Sequence, residues 1–122
     1  MLEYDFAYGA EGTALQGKTF LCALSAGGAE KAYHSEGYNH FTLRELLQPL
    51  EQTANLTGMQ YVPPFALFSS RSAVDDQRLD QHLSDWQDLL DALLEGRVDI
   101  GQAATLPTLN DGLAGVIRRP PA

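Results

Sequence analysis

Hydrophobic and polar positions along the chain fall into stretches with distinct periods. Lys18–Ser25, KTFLCALS, is a continuous apolar run that ends in glycines. Without in/out alternation it predicts a strand buried on both faces, as in a parallel sheet. Thr42–Gly58 predicts a helix, with Leu43, Leu46, Leu47, Leu50 and Ala54 as one apolar stripe. Thr42 and Glu45 stand at capping-box spacing, and Gly58 suits the helix end. Pro49, inside that pattern, predicts a bend, because it removes an amide donor at a cost of about 3 kcal/mol where nothing compensates. Met59–Ser70, MQYVPPFALFSS, predicts a second strand. Its paired part is Phe65–Phe68, and Pro63 and Pro64 mark an edge because they cannot donate to a ladder. Asp75–Glu95 predicts a second helix ended by Gly96, with Leu79, Leu83, Trp86, Leu90, Leu93 and Leu94 on its apolar face. His82 falls at its solvent edge. Residues 97–122 keep no steady period and read as a tail with room for a short helical turn.

The order is strand, helix, strand, helix. This is a βαβα arrangement with a right-handed crossover and a parallel pair, an α/β architecture. Two parallel strands leave their outer edges unpaired. The architecture therefore reads as incomplete, and association of copies into a homodimer or higher oligomer is the expected remedy.

Composition narrows the partners. At 122 residues the chain suits one domain. Eight basic against sixteen acidic residues give a net charge of −8, which argues against nucleic acid, whose non-specific affinity comes from Lys and Arg neutralising phosphates. The single cysteine, Cys22, cannot form an internal disulfide; in an apolar run it reads as a small core hydrophobe, consistent with a reducing compartment. No apolar run approaches the roughly 18 residues that span a bilayer. The start, MLEYDFAYG, lacks a charged region followed by an apolar one. The expectation is a soluble, cytoplasmic protein.

Candidate chemistry gathers after the first strand. Ligands of open parallel sheets sit at the carboxyl ends of the strands, where Ser25, Ala26, Gly27 and Gly28 lie. Bare glycine backbone lets a planar ligand approach and offers amide donors, although glycines after a strand more often make a plain turn. Tyr33, His34, Tyr38 and His40 follow. They are either proton donors for developing negative charge or aromatics packed over the second strand. A zinc site is not expected, because His34 and His40 have no third ligand at suitable spacing. Dinucleotide, P-loop, nucleophile-elbow and HExxH motifs are absent from the sequence.

FAYG, the GKTFLCAL strand, the SAGG turn, Tyr33 five positions beyond Gly28, and the Pro-interrupted helix leading to PPF occur in order. Over Phe6–Leu94 the chain thereby resembles the C-terminal half of flavodoxin-like NAD(P)H:quinone oxidoreductases, in particular the ancillary oxidoreductases of Kef potassium efflux systems. The resemblance implies a partial flavodoxin-like three-layer fold over residues 1–96, with 97–122 as a tail. It implies FMN or FAD as cofactor, NAD(P)H and a quinone as substrates, and two-electron hydride transfer. Ser25, Ala26, Gly27 and Gly28 would lie along the flavin ring. Tyr33 and His40 would be the acid/base pair, and Tyr8 and Phe6 would line the substrate pocket. The family's first three strands, with the loops that hold the flavin phosphate and grip the ring, belong to a segment this chain does not span. The resemblance also carries an alternative role as a non-catalytic ancillary module. That module would dock on a transporter's cytosolic domain, in the cytoplasm and peripheral to the inner membrane.

Overall fold

The computed structural model describes residues 3–9, 11–34 and 36–119. Met1 and Leu2 of the quoted start, Ala10, Ser35, and Pro120–Ala122 of the expected tail lie outside the described residues.

The first apolar run forms two short strands, β1 (Thr19–Phe20) and β2 (Ala23–Ser25). The second run forms β3 (Gln60–Tyr61) and β4 (Phe65–Leu67). Both pairings, β1 with β3 and β2 with β4, are parallel as expected. The ladder is interrupted because Thr19 faces Gln60 whereas Ala23 faces Phe65, so the second strand carries one extra residue, a bulge. Val62 N–H donates to Phe20 O at 3.1 Å and Phe65 N–H to Cys22 O at 3.0 Å. Pro63 and Pro64 lie between them, where the bulge leaves no ladder amide to supply.

The first run is not buried on both faces. Thr19, Ala23 and Ser25 are exposed, and Cys22, expected in the core, is only half-buried. All four strands have one strand neighbour among the described residues; the difference is that Val62 and Phe65 enter the core cluster with Leu89, Ala92 and Val116, whereas of the first run only Leu21 packs against it. The burial expected there belongs to Tyr61–Ala66 instead.

The crossover helix is two helices, α1 (Leu43–Leu46) and α2 (Gln48–Leu56). Thr42 and Glu45 form the reciprocal capping box at 3.0 and 3.1 Å. The expected bend at Pro49 is instead a break at Leu47. Pro49 then falls in the first turn of α2, where a missing N–H costs nothing. Gly58 ends the helix at φ 74°.

The second helix, α3, runs Leu79–Leu94. Its apolar face differs from the expected one: Leu83 and Leu94 are 52% and 87% exposed. His82, read as a solvent-edge residue, stacks on Phe65 with centroids 4.6 Å apart, and Trp86 stacks on the same ring at 5.7 Å. Burial holds the His82 imidazole below its ordinary pKa of 6.5; the Arg78 charge adds to this and Asp85 opposes it.

Residues 97–119, read as a tail, are folded against the sheet as α4 (Ile100–Ala103), a 3-10 turn (Leu109–Gly112) and α5 (Leu113–Val116). Val98, Ala103, Leu109 and Val116 join Val62, Phe65, Leu89 and Ala92 in one core cluster. Arg118 N–H donates to Arg97 O, Arg97 Nη1 to Arg118 O and Arg118 Nη2 to Gly96 O, each at 2.7 Å, which clasps the segment's ends together. Arg44 ties it to α1 by donating to the carbonyls of Ala104 and Leu106 at 2.6 and 3.1 Å. No helix among the described residues is long and apolar enough to cross a membrane.

Candidate functional site

The carboxyl ends of β2 and β4 lie side by side, and a turn leaves each. Ala26 N–H continues the ladder to Leu67 O at 2.8 Å, and its side chain is buried. The carbonyls of Ala26 and Gly28 accept from Ser70 and Ser69 at 3.0 and 2.9 Å, so the turn after β2 is fastened to the turn after β4. Ser69 takes up φ 48° to make that link. No acceptor among the described residues meets the amides of Gly27 or Gly28. Two N–H groups are thus presented at the tips of parallel strands, a setting that suits carbonyl and ring-nitrogen acceptors.

Neither glycine has a positive φ, so space rather than backbone freedom explains them. A β-carbon on Gly27 would meet nothing within 4 Å. One on Gly28 would lie 3.2 Å from Cε2 of Tyr33 and 3.4 Å from its hydroxyl. The rim is therefore open at Gly27 and occupied at Gly28 by the chain's own tyrosine. Ser25 is exposed beside them.

Tyr33 caps the 3-10 turn Glu30–Ala32, donating its N–H to Glu30 O at 3.0 Å, and its ring lies 5.6 Å from Phe68. Glu30, Tyr33, His34, Leu43, Thr108 and Asp111 are among the residues lining a cavity of about 80 Å³. The wall built by Thr108 and Asp111 comes from the segment read as a tail. Thr108 Oγ1 is buried with no hydrogen-bond partner among the described residues. The Glu30 carboxyl is pushed above its usual 4.5 by a hydrogen bond with Asp111, then by burial and by the Asp111 charge, against the opposing charge of His34.

His40 is placed differently from His34. It sits exposed at φ 62°, its N–H donating to Gly37 O at 3.0 Å, and it is not among the residues lining the Tyr33 cavity. Gly37 allows this fold-back, since a β-carbon there would collide with the Lys31 carbonyl. The histidine that shares the Tyr33 cavity is His34. Its signal in the sequence was direct adjacency to Tyr33, whereas Asp111 and Thr108 carried none, being distant in sequence and outside any period.

Tyr8 and Phe6 belong to a separate N-terminal turn. Tyr8 O accepts from Asp5 N–H at 2.9 Å, and the Tyr4 and Tyr8 rings meet edge to face at 5.6 Å. Phe6 is half exposed, and neither residue lines the Tyr33 cavity. No group of three or more metal-ligating side chains occurs among the described residues.

A larger concavity, about 700 Å³, lies elsewhere, between α3 and the C-terminal segment. Its Arg97 is paired with Glu95 at 2.6 Å and its Arg118 with Gly96 O. On its α3 wall Asp88 is exposed, while Asp85 and Asp91 accept from Gln81 and Gln87 at 2.8 and 3.0 Å. Most of its charged groups are thus engaged within the chain, and the strand ends, with two adjacent amides unpaired among the described residues, are the better site despite their smaller cavity.

Comparison with known proteins bears on the fold and the family. Residues 1–90 match the family model of the flavodoxin-like fold. General stress protein 14 of Bacillus subtilis is 43% identical over 68 residues, covering 56% of this chain and 39% of that protein. An uncharacterized NAD(P)H oxidoreductase of B. subtilis, YdeQ, is 36% identical over 74 residues, covering 61% and 38%. The potassium-efflux ancillary protein KefF of Klebsiella aerogenes is 35% identical over 94 residues, covering 72% and 52%. Among solved structures, general stress protein 14 of Treponema denticola in complex with FMN superposes with a TM-score of 0.67 at 35% identity, covering 75% of this chain and 52% of that one. An NADPH-quinone reductase of P. pentosaceus gives 0.60 at 29%, covering 68% and 49%. The chain spans about half or less of the length of these relatives. Parallel strands, the glycine turn at their carboxyl ends and these matches lead to one assignment: the chain belongs to the flavodoxin-like family.

Proposed function

We propose that this chain supplies one wall of the flavin site of an NAD(P)H-dependent oxidoreductase, with FMN the favoured flavin and a quinone as acceptor. The observation that carries the reading is the Ala26–Gly28 turn, whose Gly27 and Gly28 amides have no internal acceptor and whose surface is open at Gly27. The FMN complex of the Treponema denticola relative supports the choice of flavin, and the relatives named as NAD(P)H oxidoreductase and NADPH-quinone reductase support the reaction class.

The donor set fits such a group. The Gly27 and Gly28 amides would hold the flat ring where the turn is open at Gly27, with Ser25 and Ala26 beside them. A bound flavin supplies two-electron hydride chemistry between NAD(P)H and the quinone. Tyr33 stands at the rim with its hydroxyl over Gly28, placed to donate a hydrogen bond to negative charge developing there. His34, in the same cavity, serves as its proton partner; His40, the partner implied by resemblance, requires its loop to turn inward. Tyr8 and Phe6, on a separate turn, are assigned to the substrate side.

The test is titration of FMN with the purified chain at its highest soluble concentration. Quenching of flavin fluorescence is expected, and its loss in Gly27→Val, a substitution into open space. Absence of quenching with the unaltered chain overturns the reading. The match to KefF favours a second role, docking on the cytosolic domain of a transporter in the cytoplasm. Co-elution with such a domain, unchanged by Tyr33→Phe, is the result that separates docking from redox work.

A further inference from the structure

The glycine turn after β2 is only as well placed as the turn after β4 to which it is fastened. Leu67 O accepts from Ala26 N–H at 2.8 Å, so the backbone groups of Ala66 and Phe68 face away from β2. On Ala66 they meet Asn110, whose Oδ1 accepts from the N–H and whose Nδ2 donates to the carbonyl, both at 2.9 Å. On Phe68 the carbonyl has another partner, Arg78 Nη1 at 2.9 Å.

The same guanidinium gathers the rest of that turn. Arg78 Nη2 donates to Ser69 O at 2.8 Å and to Ser72 Oγ at 3.4 Å, and Nε donates to Asp76 Oδ2 at 3.3 Å. Four of its five N–H groups are thus engaged within the chain. Its planar fork spans two successive carbonyls, Phe68 and Ser69, which a single ammonium does not. Ser69 stands at φ 48°, ψ 49°, a left-handed conformation that a residue other than glycine keeps only where its surroundings hold it. In that conformation the Ser69 and Ser70 amides donate to Gly28 O and Ala26 O at 2.9 and 3.0 Å. An unbroken series of bonds therefore runs from Arg78 to the backbone that presents the Gly27 and Gly28 amides.

We propose that Arg78 is a positioning residue of the flavin rim: it fixes the Phe68–Ser70 backbone, and through it the Ala26–Gly28 turn, without touching the ligand. This deepens, and rests on, the reading of that turn as one wall of a ligand site. An arginine near the strand ends would otherwise be the natural partner of a ligand phosphate, but here its donors already have acceptors. The Phe68 ring, carried by one of the two residues that Arg78 holds, lies 5.6 Å from the ring of Tyr33. The same clasp thus steadies the surface on which the rim tyrosine rests.

The test uses the full chain and two fluorescent flavins, FMN and riboflavin, which share the ring and differ in the phosphate. A rim that keeps its shape only part of the time raises the apparent Kd of either flavin by the inverse of that fraction. Arg78→Met, which removes every donor, should therefore weaken both by the same factor, at least about threefold. Amide exchange reads the clasp with no flavin present. In the variant the Ser69 and Ser70 amides should exchange at least about tenfold faster, while Val62 N–H, bonded to Phe20 O, keeps the rate of the parent. Arg78→Lys restores the charge but not the fork, and should follow Arg78→Met in both measurements. A loss confined to FMN, or an affinity restored by Arg78→Lys, would make Arg78 a ligand contact and overturns the proposal. Unchanged exchange at Ser69 and Ser70, or an equal rise at Val62, overturns it as well. If neither flavin binds the unaltered chain, the reading of the turn as a ligand site falls, and exchange alone decides whether Arg78 holds that turn.

Discussion

Tyr33 occupies the space that a side chain on Gly28 would need, its Cε2 atom lying 3.2 Å from the position of that missing β-carbon. The two positions are thus one unit, whereas neighbouring Gly27 has nothing within 4 Å. Adjacent glycines in the same turn therefore respond to substitution in different ways.

Gly28→Ala forces the tyrosine ring to move by a few tenths of an ångström, or the turn to open. The expected cost is about 1 kcal/mol, the low end for overpacking. Gly27→Ala stays within about 0.5 kcal/mol, as for other solvent-facing substitutions. Denaturant unfolding of both variants checks this. Equal losses would mean that Tyr33 does not rest on Gly28.

Asn110→Ala leaves the buried Ala66 N–H and C=O without partners, which costs about 1–3 kcal/mol. It also uncovers the β4 edge, so copies can add head to tail, β2 onto β4, without closing. The expected result is a lower unfolding midpoint together with a mass that grows with concentration in light scattering. Asn110→Asp keeps the acceptor for Ala66 N–H but sets a carboxylate against Ala66 O. It should be destabilised while the edge stays blocked.

The local signals that depend on a few adjacent residues were legible in the sequence. The Thr42–Glu45 capping box, the Gly58 and Gly96 helix ends and the parallel strand order all stand as read. The inward face of α3 was legible only in part, because it was drawn through apolar residues alone: Trp86 and Leu93 do pack on the core, whereas Leu83 and Leu94 are exposed. At about 100° per residue, His82, Trp86, Leu89 and Leu93 fall within about 60° of one another, while Leu83 and Leu94 lie about 100° or more from His82. An imidazole thus takes a place that an apolar count assigns to leucine. The last segment hid its role because its helices are single turns of four residues, too short to display a period. Asp111 reaches the Tyr33 cavity from that segment, and such a contact leaves no mark in local sequence.

Tyr61 combines a well-packed ring with a stranded hydroxyl. The ring stacks on Phe20 at 5.9 Å and carries the Arg44 guanidinium at 5.7 Å from its centroid. The hydroxyl is buried with no hydrogen-bond partner among the described residues, and burial, then the Glu51 charge, raises its pKa against the opposing Arg44 charge. Tyr61→Phe keeps the stacking and removes the unpaired group, so stability should rise by about 1 kcal/mol. A lower unfolding midpoint would reveal a partner for that oxygen.

The Glu30–Asp111 contact makes the hold on the C-terminal segment depend on pH. Glu30 has a folded-state pKa above 4.5, chiefly through its hydrogen bond with Asp111. The fold therefore binds this proton more tightly than the unfolded chain does. The stability linked to it is complete below pH 4.5 and is lost as pH rises through the raised value. Above that, Glu30 no longer has the proton for its hydrogen bond with Asp111, which lies in the Leu109–Gly112 turn that also carries Asn110. Glu30→Gln donates to Asp111 at every pH, so the variant and the parent should melt alike near pH 4, with the variant gaining as pH climbs toward neutrality. His82 runs the other way: its lowered pKa means stability present above 6.5 and lost as pH falls below it. Because His82 is common to both proteins, the difference in melting temperature isolates Glu30. A difference that stays constant from pH 4 to 7 would show that no proton is shared between Glu30 and Asp111.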